Sequence, residues 1–216
     1  MSRPLRQAQG RPLLITDCDE VLLHMVAHFA EWLDEEHDVH FDLESGQFDA
    51  MTDRRTGEAV PVDRVWPLLD GFFRGQMHRQ TLVPGALEAL TRIGEVADIV
   101  ILTNLGDEAH SWRVEQLAGH GIRHEVVCNQ GGKGRPVQQI VERHDASTAV
   151  FIDDLAAHHA SVAKHAPDVW RLHMVAEPRL AAAVPPALDA HVRIDEWPAA
   201  CQWILDRLSG RFGGKP

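Results

Sequence analysis

Two carboxylates separated by one residue, Asp17 and Asp19, follow an apolar run over residues 13–15. Because side chains alternate sides in extended backbone, both carboxylates can share one face at the end of a strand. One of them could then attack as a nucleophile while the other donates or accepts a proton. Acidic pairs also cap helices and close turns, so this pair alone leaves a structural role open.

Three later segments supply polar side chains of complementary chemistry. One apolar run ends at Thr103 and Asn104, a glycine-rich loop holds Lys133, and another apolar run ends at Asp153 and Asp154. The chain has only three lysines, and the other two follow this last acidic pair. The structural alternatives are a turn-forming threonine, a solvent-exposed loop lysine and aspartates that cap the next helix.

Short apolar strands alternate with amphipathic helices along most of the chain. We predict strands near 13–17, 97–103, 125–128, 148–152 and 169–175. We predict helices near 86–94, 107–120, 135–144, 156–165 and 198–208. This alternation predicts an α/β fold, a Rossmann-like parallel sheet flanked by helices. Ligands bind at the carboxyl ends of the strands in such sheets, so we expect Asp17, Thr103 and Asp153/Asp154 to form one site.

In their order along the chain, the Asp-x-Asp pair, Thr103, Lys133 and the Asp-Asp pair resemble the four motifs of the haloacid dehalogenase-like (HAD) hydrolase superfamily. The resemblance covers about residues 12 to 175. It implies a Mg²⁺-dependent phosphomonoester hydrolase that acts on a small phosphorylated metabolite through an aspartyl-phosphate intermediate. Dehalogenases of this family lack the second aspartate, so Asp19 favours phosphate esters over carbon–halogen bonds.

The resemblance also implies a role for each polar residue. Asp17 would attack phosphorus, and Asp19 would protonate the leaving oxygen and later activate the hydrolytic water. We expect crowding by the other aspartates to keep Asp19 partly protonated. Thr103 and Asn104 would bind phosphoryl oxygens, and Lys133 would neutralise the charge of the phosphate and the nucleophile.

A metal ion is implied as well. The Mg²⁺ ligands would be Asp17, the backbone carbonyl of Asp19 and Asp154. Asp153 would lie next to these ligands without binding the ion directly. A divalent cation would also explain how an acidic protein with a carboxylate-lined site accepts a phosphate. Arg135, close to Lys133 in the same loop, is the alternative cation.

The interval 24–82 lacks the strand–helix alternation. We predict a first helix from the apolar stripe beginning at Met25, a small hairpin over 48–60, and a second helix from Val62 to about Met77. The HAD family places a helical cap at this point, so we expect a small, mainly helical cap over 24–82. The alternative is a structural excursion without contact to the site. The core would then comprise 12–23 and 83–208, with a disordered arm at 1–11 and a flexible tail at 209–216.

Several neighbours of these motifs need separate interpretation. Glu20 stands where the family commonly has glycine, and we expect it to narrow the site entrance and add negative charge. We expect Cys18 to pack inward, and the histidines to lie on helix faces or at caps. Five basic residues of the predicted cap could bind anionic or hydroxyl groups of a substrate, or could equally form a solvent-exposed face. They are Arg54, Arg55, Arg74, His78 and Arg79.

Composition limits the partners. The 216-residue chain has a formal net charge of −11 at pH 7, which argues against a nucleic-acid backbone or an anionic membrane as partner. Three widely spaced cysteines give no disulfide framework, and the first dozen residues resemble no signal peptide. No apolar run reaches the length of a membrane span, so we expect a cytoplasmic protein.

Two rival functions stay open within the family. A phosphomutase would keep both aspartates, and a catalytically weak phosphate- or metal-binding protein could share the fold. Outside the family, phosphoacceptor receiver domains use similar residues, but their acidic pair comes first in the chain rather than last. That difference in order argues against a receiver domain.

Overall fold

The computed structural model of the protein describes residues 10–210. Residues 1–9 of the predicted arm and residues 211–216 of the predicted tail therefore lie outside the described residues. Gly10 donates its backbone N–H to the carbonyl of Asp145 at 2.9 Å, and Arg11 pairs with Asp98 at 3.1 Å. The prediction that the arm extends to residue 11 is wrong, because Gly10 and Arg11 are bonded to the core.

A six-stranded parallel sheet forms the centre of the molecule, in the order β10-β9-β8-β1-β6-β7. The strands of the described residues are β1 Leu13–Thr16, β2 Leu23–His24, β3 Val39–Phe41, β4 Met51–Asp53, β5 Thr81–Leu82, β6 Asp98–Thr103, β7 Glu125–Cys128, β8 Ala149–Asp153, β9 Trp170–His173 and β10 Val192–Arg193. The predicted α/β class and the five predicted core strands are confirmed. The short strand β10 was not predicted.

Helices cover both faces of this sheet. The α-helices of the described residues are α1 Val26–His37, α2 Val62–Gly75, α3 Ala86–Gly94, α4 His110–Gly119, α5 Gly134–His144, α6 Ala156–His165, α7 Pro178–Ala183 and α8 Trp197–Leu208. The alternation of side chains along β1 explains the two layers. Leu14 packs in one apolar cluster with α3 and α8, whereas Leu13 and Ile15 pack in another with α5 and α6. Within residues 10–210, none of the helices combines the length and the apolar character that a membrane span needs.

The segment from 24 to 82 leaves and re-enters the core at one place, since β2 pairs antiparallel with β5. Between these strands, α1 and α2 pack around their own apolar cluster. At its centre, the rings of Phe29 and Phe72 lie 5.4 Å apart, and Trp32 contacts both rings. Aromatic pairs of this kind add to the stabilisation from apolar burial. Both helices predicted for this segment are present.

The hairpin predicted over 48–60 is only partly correct. A turn is present, because Gly57 donates to the carbonyl of Asp53 at 2.8 Å, but it closes a single bridge between Thr52 and Ala59. The main antiparallel partner of β4 is β3, which precedes the predicted hairpin. The alternating pattern of β3 buries Val39 and Phe41 in the same cluster as β4, and this burial determines the pairing.

Candidate active site

The sheet topology brings the first and last acidic motifs together. Strand β1 lies between β6 and β8, so the residues that follow these three strands meet at one edge of the sheet. Asp17 comes directly after β1 and donates its backbone N–H to the carbonyl of Ile152 at 2.9 Å. Thr103 ends β6 and Asp153 ends β8. The structure thus places three of the predicted site residues on neighbouring strands.

Lys133 reaches this edge from the loop before α5. Its Nζ lies 2.8 Å from Oδ1 of Asp17 and 2.7 Å from Oδ2 of Asp153, and its side chain is fully buried. Burial alone would lower the pKa of Lys133, but the charges of Asp153 and Asp17 outweigh it and hold the pKa above its ordinary value. Burial raises the pKa of Asp17 to about 7, against the opposing effect of Lys133. The ammonium group therefore stays charged between two carboxylates.

A possible metal site lies beside this lysine. One ligand oxygen from each of Asp17, Asp153 and Asp154 can be chosen so that all lie within 4.8 Å of one another. Desolvation and the charges of Asp153, Asp17 and Glu20 raise the pKa of Asp154 well above its ordinary value. The three carboxylates of this cluster outnumber the single ammonium group of Lys133. A hard oxygen donor set with excess negative charge suits Mg²⁺.

The two aspartates after β8 differ in their existing contacts. Oδ2 of Asp153 binds Lys133, and its Oδ1 accepts the backbone N–H of Leu155 at 2.9 Å. Asp154 is contacted through its backbone carbonyl, which lies 2.8 Å from Nε2 of His173. The carboxylate of Asp154 is therefore the better placed of the two for direct metal binding, and that assignment stays a prediction.

Buried histidines hold the backbone of this acidic pair. Nε2 of His159 lies 3.0 Å from the carbonyl of Asp153, in the same way that His173 contacts Asp154. Burial lowers the pKa of His159 to about 4, so its ring is neutral near pH 7 and can donate from Nε2 to the carbonyl. His159 lies on α6, as predicted for the histidines in general. Its contact with the acidic loop was not predicted.

Asp19 is surrounded by donors. Nη2 of Arg113 lies 2.9 and 2.8 Å from its two oxygens, Gln80 donates from Nε2 at 2.7 Å, and the hydroxyl of Thr103 lies 3.5 Å away. The sequence predicts crowding by the other aspartates, whereas the direct contacts of Asp19 are with hydrogen-bond donors. The reason is that α4 and the turn before β5 both direct hydrogen-bond donors at this carboxylate. The partial protonation of Asp19 stays a prediction.

Arg113 is a site residue that sequence reasoning missed. Its side chain is fully buried, and although burial acts to lower its pKa, the charge of Asp19 holds the pKa above its ordinary value. A signal was present in the sequence. Arg113 lies one helical turn from Ala109 and one turn from Leu117, both of which are buried, so it occupies the apolar face of α4. A charged residue on an apolar stripe indicates a buried partner of opposite charge.

Asn104 joins the loops that follow β6 and β7. Its Nδ2 donates to the carbonyl of Gly131 at 3.0 Å, and its Oδ1 accepts from Nδ2 of Asn129 at 2.8 Å. The backbone N–H of Asn129 also donates to the carbonyl of Thr103 at 2.9 Å. The side chain of Asn104 thus holds the loop geometry, while its backbone N–H remains the predicted donor to a phosphoryl oxygen.

The prediction that Glu20 narrows the site entrance is wrong. Glu20 is only 1 % exposed. Its carboxylate accepts hydrogen bonds from the backbone N–H groups of Met25 and Val26, each at 2.7 Å, and of Glu177 at 3.1 Å. Burial raises the pKa of Glu20 to about 7, although these three N–H groups act in the opposite direction.

Backbone conformation explains this placement. Glu20 has a φ of 58°, in the left-handed region where glycine is favoured. This turn directs the side chain to the start of α1, whose first N–H groups have no partner within the helix. Glu20 therefore connects the core, α1 and the loop before α7.

The basic residues predicted as possible substrate readers are mostly paired with acids on their own segment. Arg54 lies 2.5 Å from Asp34, and Arg79 lies 2.6 Å from Glu35. Arg55 approaches two aspartates at 3.6 and 3.8 Å, and His78 is exposed. The solvated-face alternative fits these four residues. Arg74 differs, because it faces a cleft between α2 and the core. Cys18 is fully buried, as predicted.

The architecture defines a class of protein, a Rossmann-like α/β domain with an acidic site at the carboxyl edge of its sheet and a helical segment after the first strand. No model of a protein family matches the sequence, and no curated protein is significantly similar to it. Solved structures, in contrast, share the fold over nearly the whole chain.

One similar structure is a putative haloacid dehalogenase-like hydrolase from Burkholderia xenovorans, with a TM-score of 0.59, 17 % identity, and coverage of 93 % of this chain and 99 % of the other. A putative HAD-hydrolase from Bacillus subtilis, bound to magnesium, has a TM-score of 0.61 at 14 % identity, with 91 % and 99 % covered. A phosphoserine phosphatase, as an analogue of its phospho-aspartyl intermediate, has a TM-score of 0.51 at 16 % identity, with 90 % and 99 % covered. The protein therefore has the haloacid dehalogenase-like fold that its motifs predict.

Proposed function

We propose that this protein is a Mg²⁺-dependent phosphomonoester hydrolase that works through an aspartyl-phosphate intermediate. The observation that carries the proposal is the position of Lys133 Nζ, 2.8 Å from Asp17 and 2.7 Å from Asp153. A buried cation beside a carboxylate at the edge of a parallel sheet suits the transfer of a charged phosphoryl group. The fold shared with a phosphoserine phosphatase supports the same chemistry.

The first half of the proposed reaction forms the covalent intermediate. Oδ1 of Asp17 is held by the backbone N–H of Cys18 at 2.7 Å and by Lys133, so Oδ2 is the oxygen left to attack. The new bond joins Oδ2 to phosphorus as the ester P–O bond breaks, and the leaving oxygen takes a proton from Asp19. Lys133 and the hydroxyl of Thr103 bind the phosphoryl oxygens.

The second half regenerates the enzyme. Asp19 accepts a proton from water, whose oxygen attacks phosphorus and displaces Asp17, and inorganic phosphate leaves. Asp17, Asp154 and the backbone carbonyl of Asp19 would hold Mg²⁺, with Asp153 next to them, and the ion would supply positive charge for the phosphoryl oxygens. The protein groups fix the geometry, and the burial of Lys133 keeps its charge unscreened by solvent.

The segment over 24–82 is proposed to act as the cap of this site. The support is that Gln80, near the end of the segment, donates to Asp19 at 2.7 Å. Gln116 of α4 donates in turn to the carbonyl of Met77 at 2.5 Å. A movement of the segment would therefore change the surroundings of the proposed proton donor.

Removal of metal tests the proposal directly. We expect the protein to release inorganic phosphate from 4-nitrophenyl phosphate in Mg²⁺, and EDTA to reduce the rate at least about a hundred-fold, because the excess negative charge of the site would repel the substrate. Added Mg²⁺ should restore the rate. Phosphate release is measured without any sugar bisphosphate, whose requirement would indicate a mutase. Full activity in EDTA would contradict the metal assignment.

Substitution of Arg113 should slow hydrolysis most for substrates whose leaving oxygen needs a proton donor. In Arg113→Met, Asp19 loses its guanidinium contact, and a displaced catalytic group costs roughly a hundred-fold in rate. We expect that loss in kcat/KM for butyl phosphate, whose alkoxide needs a proton, and a loss under about ten-fold for 4-nitrophenyl phosphate. Arg113→Lys keeps the charge and should recover part of the rate. Equal losses for both esters would show that Arg113 does not act through Asp19.

A further inference from the structure

A cleft of about 270 Å³ lies between α2 and the loop after β6. Its walls combine aromatic and aliphatic side chains with polar and charged ones. On the side of α2 and the loop after β6 they include Trp66, Phe73, Asn104 and Leu105, and on the side of α4 they include Trp112. The volume is close to the lower end of the range of about 300–1,000 Å³ for pockets that hold drug-sized ligands. It therefore suits a moiety of one or two rings.

Two tryptophans of this cleft are unusually exposed. Trp66 is 58 % exposed and Trp112 is 42 % exposed, although both are large apolar side chains. Phe48 stacks on Trp66 at 6.0 Å and fixes its ring on one side. Exposed aromatic residues grouped in a concave surface indicate a binding site more often than isolated exposed ones do.

The cleft adjoins the part of the active site that serves the leaving group. The ring centre of Phe73 lies 5.7 Å from the guanidinium carbon of Arg113, and Arg113 contacts Asp19 at 2.8 Å. Asn104, which follows Thr103, lies in the wall of the same cleft. Since the backbone N–H of Asn104 would bind a phosphoryl oxygen, the alcohol part of the substrate should extend past Asn104 into the cleft.

The charges of the cleft are already paired. Arg74 lies 2.7 Å from Asp70 and 3.6 Å from Glu108, and it is the one arginine or lysine among the described residues that line the cleft. Asp70, Arg74 and Glu108 together carry a formal charge of −1, and the guanidinium of Arg74 is paired with both carboxylates. A second phosphate or carboxylate on the substrate would be repelled here.

We propose that this cleft binds the alcohol part of the phosphate ester, and that this part is a flat aromatic group without a second negative charge. The inference rests on the proposed phosphatase function and specifies its substrate class. Stacking on Trp66, Trp112 and Phe73 supplies the binding, and the paired charges exclude anionic alternatives. Sugar and amino-acid phosphates, which are polar or carry further charge, are disfavoured.

Three phosphate esters test this inference. All of them release a primary alkoxide, so the reactivity of the leaving group is nearly constant among them. They are 2-(1-naphthyl)ethyl phosphate, butyl phosphate and 3-carboxypropyl phosphate. We expect kcat/KM for the naphthyl ester to exceed that for the butyl ester by roughly ten-fold or more, and the carboxylate ester to be poorest. Trp66→Ala and Trp112→Ala should each lower kcat/KM several-fold more for the naphthyl ester than for the butyl ester.

Val62→Ala and Val114→Ala are matched controls. Both valines are exposed on the same helices as the tryptophans and lie outside the lining of the cleft, so the preference should be unchanged. Hydrolysis without a naphthyl preference, or equal losses on all esters, would overturn the inference and leave the phosphatase function standing. No hydrolysis of any ester would overturn the function and the inference with it. If the tryptophan variants change the sedimentation coefficient instead of the preference, the cleft is a protein interface and the inference is wrong.

Discussion

Asp17→Asn is expected to lose phosphatase activity by at least about a thousand-fold, because an amide oxygen cannot replace the attacking carboxylate. The fold should persist. Asparagine has almost the same shape, and burial already raises the pKa of Asp17 to about 7, so a neutral side chain is tolerated at this position. Lys133 also keeps its second partner, Asp153, at 2.7 Å. The measurement is the release of inorganic phosphate, together with the thermal unfolding midpoint.

The matched control for this variant is Asp107→Asn. Asp107 is an exposed residue of the loop after β6, and its substitution should change neither the rate nor the midpoint. Borohydride reduction of the wild-type protein during turnover should label the peptide that contains Asp17, and Asp17→Asn should give no label. A rate in Asp17→Asn above about a tenth of the wild-type rate would rule out Asp17 as the nucleophile.

The sheet and the positions of the candidate site residues could be predicted from the sequence because both depend on local patterns. An apolar run with a polar end is a strand end in an alternating α/β chain, and parallel strands direct these ends to one edge. The helices over Ala86–Gly94 and Ala156–His165 match the predicted bounds. Small elements without a strong pattern, such as α7 and β10, escaped prediction.

The partners of the site residues could not be predicted, because they come from distant elements. Arg113 reaches Asp19 across 94 residues, and only the tertiary packing of α4 determines which of its faces meets the site. Glu20 illustrates a different failure. Its sequence position suggested the site entrance. A left-handed backbone turn instead directs its side chain to the first N–H groups of α1, which have no partner within the helix. Contacts of this kind follow from the fold and not from spacing.

Lys133→Met should destabilise the protein by about 3–5 kcal/mol at pH 8, because two buried carboxylates lose the cation between them. Methionine fills a similar volume, so the loss is chiefly electrostatic. Phosphate release should fall as well, since the variant lacks the buried cation for the phosphoryl group. The exposed Lys164 of α6 provides the matched control, and Lys164→Met should leave the urea unfolding midpoint almost unchanged.

The pH dependence of this loss distinguishes a missing charge from a packing defect. The pKa of Asp17 is raised to about 7 in the folded protein, above its usual value of about 4. Between these values the folded state holds the proton and the unfolded state does not, so the free energy of unfolding falls as the pH rises through this range. Without Lys133 this effect grows, and the destabilisation of Lys133→Met should be smaller at pH 5 than at pH 8. Asp153→Asn added to Lys133→Met should restore part of the stability, because it removes one of the two unpaired charges. A loss that is independent of pH and is not relieved by Asp153→Asn would mean that Lys133 stabilises the core by packing alone.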